Sequence, residues 1–523
     1  MPISTKIQLD PRERRLRDLL VDVAGSVDGP RPVVLRWAGG WVRDKLLGSA
    51  SHDIDVAIDT MTGGQFTAHL REHCQRPEVV AVHNLAPGDV GSPHTVARQP
   101  DKSKHLETAI LRLFGLDLDF VNLRKETYAD DSRNPQMEFG TAEEDAMRRD
   151  ATINALFYNL NTEEVEDFTG GLADMERRII RTPLEPLQTF KDDPLRVLRL
   201  VRFSSRLDFA IDENTRKVMA DETVLEALKV KISRERVGQE LEKMLQDKHP
   251  RLALQLIDDI GLYHAIFTDP ARPGLEQPDI TRWPVAYNGL DDMLQTQTPG
   301  SIAATLTHTD EQRWIAWNLA AVSPWLRIAD PPGTKKKANA LPPVGVVARE
   351  GYKAANKLTD IMAASHRHLA EILDLKAAVL TGAPHVHERD RLGMAIRRWD
   401  AQGGSWRLQV LAAVFAEVLE RLSVWPSGNG GEHASARDAF VAEWQKFLDH
   451  LVEMDVMDAP QLKRLVDGRE LAKALGVKPG KWTGQALDVC VAWQLRNPDE
   501  TDPAPAIEEV KQRRKELGIP DAR

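Results

Sequence analysis

Two neighbouring stretches decide how this chain is read: Val33-Val-Leu35-Arg-Trp-Ala38-Gly39-Gly40-Trp-Val42-Arg43-Asp44-Lys-Leu-Leu47-Gly48, and His52-Asp53-Ile-Asp55-Val-Ala-Ile58. Residues 33–35 read as a short strand, Ala38-Gly39-Gly40 as a turn, and 42–47 as a helix ended by Gly48. The alternation over 52–58 predicts a second strand. A glycine pair between strand and helix lets the backbone approach a triphosphate, with helix amides pointing at it. Asp53 and Asp55 are two apart on a strand, so their carboxylates share one side. In water such a pair repels unless a hard cation sits between them, and magnesium is the usual one.

Working outward, Leu116-Asp117-Leu-Asp119-Phe-Val-Asn-Leu123 predicts a third strand running beside the second. It brings Asp119 to the pair, and three acids on adjacent strands can hold two ions that clamp the oxygens of a phosphoryl transfer. Asp59 and Asp117 compete for the third place. Asp117 shares the face of Asp119, so the pattern alone leaves both open. Residues 125–141, with Tyr128 and Arg133, are polar and turn-rich and are expected to form a mobile loop. A helix is expected over 142–158, followed by the Asp167-Phe-Thr-Gly170-Gly171 turn. From Phe190 onward the apolar spacing is helical.

The chain has 523 residues, enough for about three or four domains. Ten of the twelve tryptophans lie beyond position 280, so the two halves build different cores. Residues 330–343, with Pro331-Pro332-Gly333 and three lysines at 335–337, read as a solvated linker, as do residues 426–431. Lys and Arg total 69 against 79 Asp and Glu, a net charge of −10. That balance argues weakly against nucleic-acid binding without excluding it, because phosphate recognition follows local basic stripes. Two distant cysteines, Cys74 and Cys490, offer neither a disulfide framework nor a zinc quartet, as expected in a reducing compartment. No apolar run approaches membrane-spanning length, so no membrane partner is expected. The first twenty residues carry no signal-peptide core, and acids interrupt their arginines, which points to a cytoplasmic or nuclear protein. The histidines at 264, 308, 366, 368, 385 and 387 show no partner set.

Gly-Gly-x-Val-Arg-Asp followed closely by Asp-x-Asp resembles the nucleotidyltransferase superfamily that includes DNA polymerase β. More narrowly it resembles class II tRNA nucleotidyltransferases, the CCA-adding enzymes, and their relatives the bacterial poly(A) polymerases. Gly39, Gly40, Val42, Arg43, Asp44, Asp53 and Asp55 match the first family motif. Arg148-Arg149-Asp150-Ala-Thr152-Ile-Asn154 matches the second, and Asp167-Phe-Thr-Gly170-Gly171 the third, a glycine hinge. Asp192-Asp193-Pro-Leu-Arg196 stands for the fourth, with Asp192 where glutamate is usual. Ile232-Ser233-Arg-Glu235-Arg236-x-x-x-Glu240-x-x-Lys243 matches the fifth. Lys102-Ser-Lys-His-Leu-Glu-Thr-Ala109 looks like the fungal branch in particular. The C-terminal half is similar more weakly, through Asp467-Gly468-Arg469 and Gly476-x-x-Pro479-Gly480.

The resemblance implies an α+β fold: a polymerase-β-like head with a small mixed sheet, then an all-α neck, body and tail. The expected segments are 1–165 for the catalytic head, 166–255 for the base-selecting neck, 256–400 for the body and 401–523 for a tRNA-binding tail. It implies template-independent addition of C, C and A to tRNA from CTP and ATP, with Mg2+ held by Asp53 and Asp55 and with Asp119 as the third acid. A poly(A) polymerase, a partial enzyme adding only C or only A, and a silent tRNA-binding scaffold are the alternatives. Gly39, Gly40, Arg43 and Asp44 would belong to the triphosphate site. Arg149, Asp150 and Asn154 would contact ribose and triphosphate, with Arg148 beside them and Arg199 on the next basic stripe. The acceptor and T arms of tRNA are the expected partner of the C-terminal half, with Arg397, Arg398, Lys473 and Lys478 as candidate contacts. Relatives serve several compartments, so a mitochondrial form is also expected through an alternative start.

Asp193 and Arg196 are the implied base readers, and side-chain chemistry fits that role. Cytosine and adenine each present an amino donor beside a ring-nitrogen acceptor, suiting a carboxylate and a guanidinium. Uracil and guanine present a carbonyl beside an N–H and reverse both contacts. Asp193 before Pro194 also has the pattern of a helix cap, an alternative that stays open. Arg196, Arg199, Arg202 and Arg206 form a basic stripe whose last two members read as a solvated face. Ser233 reads as an N-cap, and Arg236 with Glu240 as an i,i+4 ion pair on a scaffolding helix.

Overall fold

The period-two alternation around Asp53 is realised in a strand over Asp53–Ile58, with Ile54 and Val56 buried and both aspartates on the open side. The computed structural model describes residues 6–51, 53–92, 94–96, 108–127, 136–272, 274–329, 340–426, 428 and 431–521. Tyr128, Arg133, residues 102–107 and the linker over 330–339 lie outside them. The chain divides into two compact units, Met1–His249 with Asp259–Ala265, and Pro250–Asp258 with Ile266–Arg523.

The strands of the first unit are β1 Leu35–Ala38, β2 Asp53–Ile58, β3 His94–Val96, β4 Thr108–Leu113, β5 Leu116–Asn122, β6 Arg124–Thr127, β7 Gln136–Phe139, β8 Phe157–Asn159, β9 Glu164–Glu166, β10 Ile179–Ile180 and β11 Ala210–Ile211. Its helices include α1 Pro11–Gly25, α2 Gly40–Leu46, α3 Gly63–His73, α4 Pro77–Val82, α5 Ala142–Met147, α6 Gly171–Arg177, α7 Pro186–Asp192, α8 Leu195–Leu207, α9 Glu213–Met219, α10 Glu222–Lys231 and α11 Arg234–Gln246. Seven strands form one mixed sheet in the order β3-β4-β5-β2-β1-β8-β9. β2 and β5 run parallel, whereas β1 is antiparallel to both β2 and β8. α3 lies so close to β5 that a methyl on Gly63 would meet the carbonyl oxygen of Phe120 at 2.2 Å. Phe66, Leu70 and Phe120 are fully buried there. Beyond the two aspartates, Ala57 joins Ala38, Leu123, Ala142, Ala146, Ala155 and Phe157 in a small apolar cluster. α5 therefore packs over the sheet beside the acids.

Three local expectations are corrected. The first strand lies at Leu35–Ala38 rather than 33–35, because its ladder partners are Asp55 to Ile58 on one side and Phe157 to Asn159 on the other. The helix expected over 142–158 stops at Met147, with a single 3-10 turn at Thr152–Asn154 and then β8. The aromatic pair Phe157-Tyr158 favours a strand, and Tyr158 packs near Trp37 and Trp41 with ring centroids 5.9 and 6.0 Å away. Within the expected loop over 125–141, β6 and β7 pair antiparallel, Arg124 opposite Phe139. The turn-forming composition hid two short strands at its ends.

In the second unit every regular element among the described residues is helical, the longest being Asn356–Thr381 and Glu432–Glu453. Trp283, Trp325, Trp399, Trp406 and Trp444 are fully buried, which accounts for the tryptophan-rich composition of this half. Buried Lys376 lies between Glu417 and Glu443, 2.8 Å from each, and over the Trp444 ring. No helix among the described residues is long and apolar enough to cross a membrane.

Candidate active site

Strand register builds the site from one row of residues. Asp119 pairs with Asp55, Asp55 with Ala38, Ala38 with Phe157 and Phe157 with Glu166. At about 4.8 Å per strand, the row carries two acids, the end of β1 and the glycine turn along one side of the sheet. Asp53 stands two residues before Asp55, opposite Asp117.

The acids are electrostatically coupled. Loss of surrounding water raises the Asp55 carboxyl above its ordinary range. Arg149 opposes that, and the charges of Asp119, Asp53 and Asp145 reinforce it. Asp119 is raised in the same way, first by lost hydration and then by Asp53 and Asp117. Asp117 is the more exposed of the two competitors and faces Arg112 at 3.6 Å. Asp59 is turned to a different task, accepting the Val34 amide at 3.1 Å. Among the described residues no three acidic, histidine or cysteine side chains are gathered as a preformed metal group. Hard, mutually repelling carboxylate oxygens are nevertheless the donor set that magnesium favours.

Gly39 carries a φ of 69°, a left-handed conformation suited to glycine, and its amide donates to Leu156 at 3.0 Å. A methyl group on it would lie 2.8 Å from Arg149 Nη1 and 3.9 Å from Asp55 Oδ2. Arg149 is thus pressed against the turn and acts on Asp55. Its guanidinium donates to Asp145 at 2.9 Å and to the Asn154 carbonyl at 3.1 Å, and lies over the Phe157 ring. Arg148 donates to the other oxygen of Asp145, at 2.9 Å from Nε. Burial alone would raise the Asp145 carboxyl, but Arg149 and Arg148 hold it below the ordinary range.

Behind the turn runs a buried network of charges. Arg43, 4% exposed, donates to Asp44 at 2.8 Å and to Asn154 Oδ1 at 2.5 Å. Its guanidinium lies near Gly40, where an added methyl would be 3.6 Å from Nη2. Asn154 donates to Asp150 at 3.1 Å, and Arg199 donates to the other Asp150 oxygen at 2.6 Å. Burial pushes the Asp150 carboxyl up, but Arg199, Asn154 and Arg196 outweigh it and bring it down to about 2. Glu240 of α11 extends the network, receiving Arg202 at 2.6 Å and facing Arg199 at 3.8 Å.

Asp193 and Arg196 bracket the start of α8, where the Arg196 amide donates to the Asp193 carbonyl at 3.0 Å. Asp193 Oδ1 accepts the Leu195 amide at 3.1 Å, so the residue does act as a helix cap. Its Oδ2 accepts from Arg236 at 2.9 Å. Arg196 donates from Nη2 to the backbone carbonyl of Arg148 at 2.7 Å, which docks α8 on the second motif. Two sequence expectations change here. Arg236 pairs with Asp193 rather than Glu240, and Arg202 is a buried ion pair rather than part of a solvated face. Both times the partner comes from outside the residue's own helix. Asp192 accepts from Gln188 at 2.7 Å. Gly171 abuts the second motif closely, since a methyl there would meet the Thr152 carbonyl oxygen at 2.3 Å.

The reading of the sequence missed Asp145, which organises Arg148 and Arg149. Its signal was available: Asp145 precedes them by three and four positions, on a helix opened by the Thr141–Glu144 capping box. In the second unit, Arg397 donates to the backbone carbonyls of Ala459 and Leu462, and Arg398 pairs with Glu371. Lys473 and Lys478 are exposed. His366 and His368 make ordinary hydrogen bonds, to Leu326 and Gln409.

Residues 35–181 match the family model for the poly A polymerase head domain, and residues 208–276 match one described as a probable RNA and SrmB-binding site of polymerase A. A nucleotidyltransferase of Purpureocillium lilacinum is 60% identical over 98% of this chain and 93% of its own. The mitochondrial CCA tRNA nucleotidyltransferase of Saccharomyces cerevisiae is 35% identical over 95% of this chain and 92% of its own. Among solved structures, a CCA-adding enzyme in complex with ATP shares the fold, with a TM-score of 0.64 at 20% identity over 98% of this chain and 97% of that one. Full-length similarity of this extent, together with a head of the same fold, shows that the chain belongs to the family of CCA tRNA nucleotidyltransferases.

Proposed function

We propose that this protein extends tRNA 3′ ends with C, C and A, taking CTP and ATP as substrates and releasing pyrophosphate. The observation that carries the reading is the row of Asp119, Asp55 and the Gly39 turn on adjacent strands, with Arg149 against all but its far end. Relatives at 33–35% identity over 95% of the chain are named tRNA nucleotidyltransferases, and solved structures of the same fold include complexes with CTP, with ATP and with tRNA.

Asp53 and Asp55, with Asp119 alongside, are the residues that would hold Mg2+. The chemistry supplied by such an ion would be neutralisation of phosphate charge and a lower pKa for the attacking hydroxyl. Asp119 would receive the proton of the RNA 3′-hydroxyl. Gly39 and Gly40 let the triphosphate approach the backbone, and Arg149 faces its charge. Arg43, Asp44, Asn154, Asp150 and Arg199 hold that turn against α8. Asp193 accepts the amino group of cytosine or adenine, and Arg196 donates to the neighbouring ring nitrogen. A UTP or GTP in the same place leaves both bonds unmade, which rejects it.

We divide the chain functionally into a head over 1–165, a neck over 166–255, a body over 256–400 and a tail over 401–523. The exposed Lys473 and Lys478 would meet RNA backbone, which A-form helices present by shape and phosphate. Arg397 and Arg398, with their partners inside the unit, serve that unit's own structure. Cytoplasm and nucleus are the proposed compartments, with a mitochondrial form in keeping with the names of the two yeast relatives. Pyrophosphate release from CTP on a tRNA lacking its CCA end, dependent on magnesium and lost in Asp55→Asn, tests the assignment. Release without tRNA, or unchanged release by the variant, overturns it.

A further inference from the structure

We infer that Arg236 is the positioning residue for base selection: it fixes the Asp193 carboxylate in the orientation that reads an amino group. The inference rests on the base-reading role proposed above for Asp193 and deepens it. Asp193 has two oxygens and two tasks. Oδ1 is tied to the Leu195 amide at 3.1 Å as the cap of α8. Oδ2 accepts from Arg236 Nη2 at 2.9 Å. Arg236 comes from α11, 43 residues further along, and its side chain is 30% exposed against 21% for Asp193. The pair therefore stands at the edge of solvent, where a nucleotide can reach it.

A carboxylate held at both oxygens cannot rotate about its χ2 torsion, and its free lone pairs keep one direction. That direction carries the discrimination, because an amino group satisfies it and a carbonyl oxygen meets it with repulsion. Released from Arg236, the carboxylate turns freely about the capping bond. It then offers a geometry in which correct and wrong bases differ less. α11 also steadies the other side of the reader, since its Glu240 holds Arg202 and faces Arg199 on α8. Arg236 thus acts through Asp193 rather than on the nucleotide.

The test uses the full chain with a tRNA lacking its CCA end and with CTP, ATP and UTP as separate substrates. Arg236→Met is expected to raise KM for CTP and ATP far more than it lowers kcat, with kcat/KM down about 10²-fold. The preference for CTP over UTP should shrink by about tenfold or more. Arg236→Lys keeps one donor and should recover part of both. In an Asp193→Ala background, Arg236→Met should add little further loss, because its effect passes through the missing carboxylate. A full additional loss in that background, or an Arg236→Met enzyme with wild-type KM and wild-type preference, overturns the inference. Should Arg236→Met fail to fold, the Lys variant decides alone: a drop in kcat with KM and preference unchanged counts against it. Failure of the unaltered protein to prefer CTP over UTP would instead sink the base-reading role itself.

Discussion

The carboxylates of this head fall into two groups of the same chemistry and opposite circumstance. Asp53, Asp55 and Asp119 lie on the open side of the sheet; lost hydration and then neighbouring acids raise Asp55 and Asp119, and one cation, Arg149, opposes the rise at Asp55. Asp150, Asp145 and Glu240 lie buried, each met by at least two cations or amides at hydrogen-bond distance or just beyond. Uncompensated charge at a surface costs little until a cation arrives, so it can serve binding. Uncompensated charge in an interior is prohibitive, so buried acids are paired and serve position. Exposure and partner count, rather than residue type, separate the open acids from the paired ones.

Substitutions can break that comparison, and the largest effect is expected on the open side. Asp55→Asn should lower nucleotide incorporation by about 10³-fold or more while leaving the circular dichroism and melting temperature near wild type. A large loss of stability would place Asp55 with the buried group. On the buried side, Asp150→Asn should destabilise the fold by about 3–5 kcal/mol, since it removes the nearest of the two acids that face Arg199. Urea midpoints measure this. The Asp150 carboxyl titrates at about 2 in the folded protein, below its ordinary value of 3.8. Its contribution of about 2 kcal/mol is therefore fully present above that ordinary value and is lost as pH falls toward 2. Comparing midpoints near pH 6 and near pH 3, the Asn variant should lose less on acidification than wild type does.

Much of this division was legible in the sequence, and the remainder shows what local patterns omit. The two-residue spacing of Asp53 and Asp55 placed them correctly because strand alternation is a local rule. The helix expected through Arg148 and Arg149 was wrong, because pairing of Phe157-Tyr158 with β1 is a contact across about 120 residues. Arg236 and Glu240 looked like neighbours on a helix face, yet each finds its strongest partner outside α11, Asp193 just before α8 and Arg202 on it. Asp117 faces an arginine, Arg112, on the strand alongside, a neighbour that the spacing did not reveal. Long-range partners are the part that spacing does not encode.

Two smaller effects sharpen the comparison at its border. Gly39→Ala should cost about 1–3 kcal/mol of stability for a left-handed φ, and about 10²-fold in kcat/KM as Arg149 is displaced. A stability loss with normal activity would show that Arg149 has no part in the reaction. Asp117→Asn should change activity by no more than about twofold, since its pairing with Arg112 is exposed and weak. A loss matching that of Asp119→Asn would return Asp117 to the reacting group.

The central claim is that an open row of acids and a rigidly held base reader together add a fixed sequence without a template. Primer extension tests it most directly, using one tRNA ending before CCA, one ending in C and one ending in CC. Each would receive labelled CTP, ATP, UTP and GTP separately, and CTP with ATP as a mixture. The account predicts two C additions followed by one A and then arrest, with UTP and GTP unused. Long A tracts, or addition of C without A or A without C, would contradict it.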